Sequence, residues 1–211
     1  MDGKPIRETG LKVLANRKIE LDAQARAVQE SAVTIILNKP VGYVSGSPEP
    51  GKTPAVNLIR AETQAASPGE PRFHPRMLRK LAPAGRLDID SRGLIVFTSD
   101  GRVARALVAA DSRIEKEYLV RVEGPLTEHD LQRLRHGLEL DGRPLKPAKV
   151  EWINRDQLRF VLIEGHKRQI RKMAEIVRLK VVGLKRVRIG RVVLGGLPEG
   201  RWRFLRPGES F

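Results

Sequence analysis

The chain contains no cysteine, which excludes disulfides and thiolate metal sites and suits a reducing compartment. Its four histidines, His74, His129, His136 and His166, share no metal-ligand spacing, so no metal is expected. The N-terminus lacks an apolar signal core and no apolar run approaches membrane-spanning length, so a cytoplasmic protein without a membrane partner is expected. Aromatic residues make up only 4% of the sequence. A long base-stacking platform is thereby excluded, and any base contact must rest on one or two rings. Acidic residues are also short, 25 against 40 Lys and Arg, for a net charge of +15. The excess is concentrated in residues 164–211, with 13 basic and 4 acidic side chains. Such a surface suits a polyanion, because each neutralised phosphate releases counterions, although a merely solvated basic surface is the plainer alternative.

At 211 residues, 40% of them apolar, the chain can bury a substantial core. Alternation and apolar runs predict strands over residues 34–38, 94–98, 118–123, 150–153, 158–164, 181–189 and 192–194. Helices are predicted over 102–109, 127–138 and 167–177, the second with Thr127 as N-cap and Leu131, Leu134 and Leu138 on one face. Strands dominate without a βαβ rhythm, which points to α+β with a mixed or antiparallel sheet. Residues 45–83 are rich in Pro, Ser, Ala and basic side chains and read as flexible connections around a short amphipathic piece at 56–61. A loop this long is either functional or disordered, and Arg72, His74, Arg76, Arg79 and Lys80 make RNA contact one reading of it.

Three segments could carry chemistry. In AGRLDIDSRGLIVFTSDG (84–101), Asp88 and Asp90 stand before an apolar run. They can be turn formers that hydrogen-bond nearby backbone, or one can act. They cannot be a glycosidase pair, because acids two residues apart in one loop do not flank a sugar. In EKEY (115–118), Tyr118 opens an alternating strand and reads equally as an ordinary half-buried tyrosine. In EGHKRQIRKM (164–173), Arg168, Arg171 and Lys172 share a helix face while Ile170 and Met173 turn toward the core.

Taken with ILNKPVGYVSG (36–46) and IGRVVLGGLPEGRWRFL (189–205), the order of these segments resembles the bacterial ribosomal-RNA pseudouridine synthases of the RsuA family. The closing GRWR and the EKEY strand look most like the large-subunit branch, the RluF, RluE and RluB types. The resemblance spans roughly residues 33–205. It implies the pseudouridine synthase catalytic fold, with an extended mixed or antiparallel sheet, flanking helices and a basic active-site cleft. It also implies an isomerase that needs no cofactor. The C1′–N1 bond of a uridine is broken, the uracil turns, and the sugar rejoins it at C5.

The family's motifs place its essential aspartate at Asp88, its paired basic residue at Arg171, and the ring that packs on the uracil at Tyr118. Arg86, before Leu-Asp, would help hold RNA with the base flipped out, and Ile170 would line the uracil pocket. Lys39, Arg168, Gln169 and Lys172 are expected to contact RNA. Asp90 is expected as a turn or cap residue whose loss costs far less than that of Asp88. Residues 1–31 resemble only the β-rich half of an RNA-binding module that most members carry upstream. They are expected to be a truncated remnant of it, either because the true start lies upstream or because the helical half was lost. Residues 32–211 are expected to form the catalytic domain. The expected partner is ribosomal RNA, met by a monomer as free large-subunit RNA or an assembly intermediate. A non-catalytic RNA-binding or ribosome-assembly protein on the same fold is the alternative, disfavoured because Asp88, Tyr118 and Arg171 are all present. A DNA reader using the 167–177 helix lacks any base-edge constellation.

Overall fold

Runs of β-branched and aromatic residues pair into one large sheet, and the charged stretches between them form its connections. The computed structural model describes residues 6, 11–14, 20, 22–23, 32–46, 50–66 and 69–211. The chain divides into two compact units, Met1–Ala32 and Val33–Phe211. Most of the first, and with it most of the segment expected as a module remnant, lies outside the described residues.

In the second unit the chain begins with β1 (Thr34–Lys39), a short parallel pair β2 (Tyr43–Val44) and β3 (Thr53–Pro54), then β4 (Ala82–Pro83) and β5 (Arg92–Thr98). Helix α1 (Gly101–Val108) leads to β6 (Lys116–Glu123), α2 (Glu128–Arg135) and the hairpin of β7 (Glu139–Leu140) and β8 (Arg143–Pro144). Next come β9 (Lys149–Asn154), β10 (Gln157–Leu162), α3 (Gln169–Ile176), β11 (Lys180–Ile189), β12 (Val192–Val193) and β13 (Trp202–Phe204). The main sheet runs β13-β1-β5-β11-β6-β10-β9, with β12 beside β11 and β4 beside β5. Neighbours along it are antiparallel except β5 and β11, which run parallel and meet only at Lys185–Arg92 and Arg186–Gly93. Two antiparallel blocks are thus joined by a two-residue parallel seam.

Apolar side chains cover both faces of this sheet. One face packs Ile35, Phe97, Val120 and Phe160 against Leu131 and Leu134 of α2 and Ile170 and Met173 of α3. The other packs Ile36, Leu94 and Val96 against Leu107 of α1. Side chains of period two on the strands and 3.6 on the helices therefore find each other, as the α+β reading requires. Helix α2 starts as expected: Thr127 Oγ accepts from the Asp130 amide at 3.1 Å, and the Asp130 carboxylate returns the bond.

Two expectations change. The described residues of the 45–83 excursion pack more tightly than a flexible connection, with 3-10 turns at Ala55–Leu58, Ala61–Thr63 and Pro75–Leu78. Leu58 and Ile59 are buried, and Phe73 stands edge-on to Trp202 with ring centroids 6.0 Å apart. The apolar residues within the excursion tie it to the core, while Arg72, His74, Arg76, Arg79 and Lys80 stay exposed. Strand β13 was not predicted at all. Its middle residue, Arg203, is buried, because the Glu209 carboxylate takes both of its terminal nitrogens at 2.7 and 2.9 Å.

Among the described residues no helix is long and apolar enough to cross a membrane.

Candidate active site

A cleft of about 1440 Å³ opens at the parallel seam. Its lining includes Arg86, Asp88, Tyr118, Arg168, Gln169, Ile170 and Arg171, seven of the residues singled out from the sequence. They come from the turn before β5, from β6, and from the entry to α3, which adjoining strands bring together.

The turn that carries Asp88 is fixed carbonyl by carbonyl. Arg86 O accepts from Arg186 Nη1 at 3.2 Å, and Leu87 O from the buried Ser45 hydroxyl at 2.6 Å. Asp88 O accepts from the Ser91 amide at 3.1 Å, and Ile89 O from the Gly42 amide at 2.8 Å. Asp90 O accepts from Arg171 Nη2 at 3.0 Å. Ser45 also accepts from the Leu87 amide at 2.8 Å, so one buried hydroxyl serves both backbone groups of Leu87. Five consecutive carbonyls, one held within the turn and four from the 42–45 segment, α3 and β11, leave the Asp88 side chain little positional freedom.

The two acids have different company. The Asp90 carboxylate lies 3.1 Å from Arg168 Nη1 and 3.2 Å from Arg171 Nη2. Among the described residues Asp88 pairs only with Arg168, at 4.0 Å, and it lines the cleft. The structure therefore departs from the expected Asp88–Arg171 pair. Arg171 is anchored by Asp90 and by the Val181 carbonyl at 3.1 Å, because α3 meets the far side of the turn. Asp90 is consequently more than a turn former: it fastens the turn to α3. Arg168 sits at the N-cap of α3 with φ of +55°, a left-handed backbone that delays the helix to Gln169 and turns the guanidinium toward both acids.

The other candidates separate. Tyr118 is nearly buried on β6, its ring 6.0 Å from the Arg186 guanidinium carbon. Ile170 is buried at the cleft wall. Arg86 is exposed at the rim, free to meet a polyanion. Gln169 is 4% exposed and bridges Glu164 and the His166 amide at 2.8 and 3.0 Å, so it shapes the loop rather than offering itself to RNA. Lys172 turns away to Asp141, at 2.7 Å. Lys39 is wholly buried, contrary to its expected contact with RNA. Its Nζ donates to the carbonyls of Pro40 and Tyr43 at 2.8 and 2.9 Å, and burial pushes it down to about 8, against the pull of Asp90 and Asp88.

Sequence reasoning missed Ser45 and Arg186. A lone serine in a Ser/Pro-rich stretch carries no signal, and Arg186 is one cation among many in LKRVRIGR. Among the described residues no group of three or more His, Asp and Glu could hold a metal.

Residues 33–175 match the family model described as RNA pseudouridylate synthase. An RNA pseudouridine synthase of Aquifex aeolicus, itself uncharacterized, is 30% identical over 99% of this chain and 82% of its own length. The ribosomal small subunit pseudouridine synthase A of Escherichia coli is 32% identical over 99% of this chain and 86% of its own. The dual-specificity RNA pseudouridine synthase RluF of Escherichia coli is 35% identical over 85% of this chain, which spans 57% of that protein. A crystal structure of a pseudouridylate synthase superposes with a TM-score of 0.71 at 31% identity, covering 83% of this chain and 71% of the other.

Proposed function

This chain belongs to the RNA pseudouridylate synthase family, whose members isomerise uridine to pseudouridine in RNA, and from that premise we propose that it acts on ribosomal RNA with Asp88 as the essential carboxylate. One observation carries the assignment to Asp88. Of the two acids in the turn, only Asp88 lines the cleft beside Tyr118, while the Asp90 carboxylate is held by two arginines at the turn's far side.

The reaction is an isomerisation. The C1′–N1 bond breaks, a C1′–C5 bond forms, C5 loses a proton and N1 gains one. No oxidant, reductant or second substrate enters. The chain's own groups then divide the work. Asp88, on a turn that cannot drift, presents a carboxylate to a nucleotide flipped out of its stack. Arg168, 4.0 Å away, sets a positive charge beside the carboxylate without sequestering it in a close pair. Tyr118 offers a ring to pack on the uracil and a hydroxyl near the C5 proton, and Ile170 supplies the apolar wall. Exposed Arg86 at the rim and the exposed cations of residues 72–80 meet phosphates, where a charge of +15 draws in the polyanion.

The large-subunit RNA is the proposed target, on the likeness of the EKEY strand and the GRWR segment to that branch. The test is to incubate purified protein with unmodified large- and small-subunit ribosomal RNA and map pseudouridine by mass spectrometry. Wild type should modify a defined large-subunit uridine. Asp88→Asn should fall below about one per cent of that rate, the lower bound for losing a positioned acid–base group, while still binding the RNA. Near-normal product from Asp88→Asn would refute the assignment, and product only in small-subunit RNA would refute the choice of subunit.

A further inference from the structure

Arg186 is a buried cation with no carboxylate. It is 3% exposed, and no acidic side chain lies within 4.0 Å of its nitrogens among the described residues. Its Nε donates to Leu94 O at 2.7 Å and its Nη1 to Arg86 O at 3.2 Å. Its Nη2 is buried without a partner, and its guanidinium carbon lies 6.0 Å from the centre of the Tyr118 ring.

A buried charge is normally paired, because removing it from water costs several kcal/mol per ion. An apolar side chain of similar length would fill the same space without that cost. The charge therefore serves something other than packing, and its neighbours indicate what. On β11, Arg186 stands opposite Tyr118 of β6 on one side and Gly93 of β5 on the other. Its guanidinium reaches across the seam to the residue two places before Asp88. The planar fork can hold two carbonyls and face a ring at once, and an ammonium cannot. It reaches both the Asp88 turn, by its bond to the Arg86 carbonyl, and the face of the Tyr118 ring.

Resting on the reading of Asp88 and Tyr118 as the reacting pair, we propose that Arg186 is a positioning residue that sets the distance between them. It fixes the Arg86 carbonyl at one end and the Tyr118 ring at the other, so carboxylate and phenol act as a single unit. It borders the cleft with only 3% of its surface exposed, and two of its three nitrogens are committed to backbone carbonyls rather than to the open volume.

The test uses Arg186→Met, which keeps length and loses the fork, and Arg186→Lys, which keeps the charge. Each is measured for kcat and KM on the ribosomal RNA substrate, with thermal melts on the same samples. Loss of alignment should lower kcat by about 100-fold in Arg186→Met, the scale of a 1 Å misplacement, with KM within about twofold of wild type. Arg186→Lys should fall between the two. In an Arg186→Met, Tyr118→Phe double variant the two losses should multiply to less than their product, because one acts through the other. Unchanged kcat would overturn the proposal, as would a raised KM at constant kcat or fully multiplicative losses. If Arg186→Met is unfolded at the assay temperature, Arg186→Lys decides. A deficit that follows its folded fraction would make Arg186 merely structural and overturn the proposal. An inactive wild type would instead refute the parent assignment, so the two failures are distinguishable.

Discussion

Gly93 lies against Arg186 where the two antiparallel blocks meet, and its replacement tests whether the seam organises the cleft. A Cβ added there would lie 2.7 Å from the Arg186 amide nitrogen and nearer still to its carbonyl oxygen. The φ of Gly93 is +106°, a backbone that L-residues avoid at a cost of about 1–3 kcal/mol. Alanine would therefore have to push β11 away from β5, breaking the short parallel pairing and the bond from Arg186 Nε to Leu94 O. A hydrogen bond from a charged donor contributes about 1.5–3 kcal/mol. The control is Gly137, with φ of +98° and no atom within 4 Å of its added Cβ. Gly137→Ala carries the backbone cost alone. Urea melts should place Gly93→Ala about 2–4 kcal/mol below Gly137→Ala, a large share of the 5–15 kcal/mol that stabilises a domain. Activity should be lost with it, since Arg186 and the Asp88 turn move together. Two equally destabilised variants, within about 0.5 kcal/mol, would show that the close approach imposes nothing and refute the reasoning.

The remaining expectations concern the buried lysine and the second acid. Lys39 is pushed down to about 8 from 10.5, so between those values the unfolded chain binds more protons than the folded one, and stability rises with pH. Relative to Lys39→Met, wild type should gain stability from pH 8 toward pH 10 in urea melts, by at most about 1.4 kcal/mol per pH unit. A gap that is flat or narrows would contradict the burial. Asp90→Asn releases two arginines from a half-exposed ion pair while Asp90 O still holds Arg171, so stability should drop by no more than about 1 kcal/mol. Its kcat/KM should fall only several-fold, and a loss equal to that of Asp88→Asn would move the essential role to Asp90.

Much of this was legible because periodicity reports burial. The predicted strand at 94–98 lies inside β5, and the predicted 127–138 helix contains α2 with the expected cap. The segments that reached the cleft did so because chemistry-bearing types cluster in contiguous motifs. What sequence did not show was how charges are spent inside. Lys39, Arg186 and Arg203 are all buried, the first for carbonyls of the turn that follows it, the second for carbonyls some ninety residues or more away, and the third for a carboxylate six residues on. Hydropathy assigns such residues to the surface. The Arg168–Asp90 pairing escaped for a related reason, since it accompanies the left-handed backbone of Arg168, which no spacing announces.

The pairing of β13 with β1 has a consequence for how the protein is made. Ile35, Ile36 and Leu37 meet Phe204, Arg203 and Trp202, so the first strand of the main sheet waits for its last. The block of β6, β9, β10 and β11 is contiguous between residues 116 and 189 and can assemble as it leaves the ribosome. The block containing β1 and β5 keeps one apolar edge open until Trp202 emerges and its indole donates to the Arg60 carbonyl. A nascent chain stalled short of that tryptophan would hold the catalytic turn, tyrosine and arginines on an unfinished sheet.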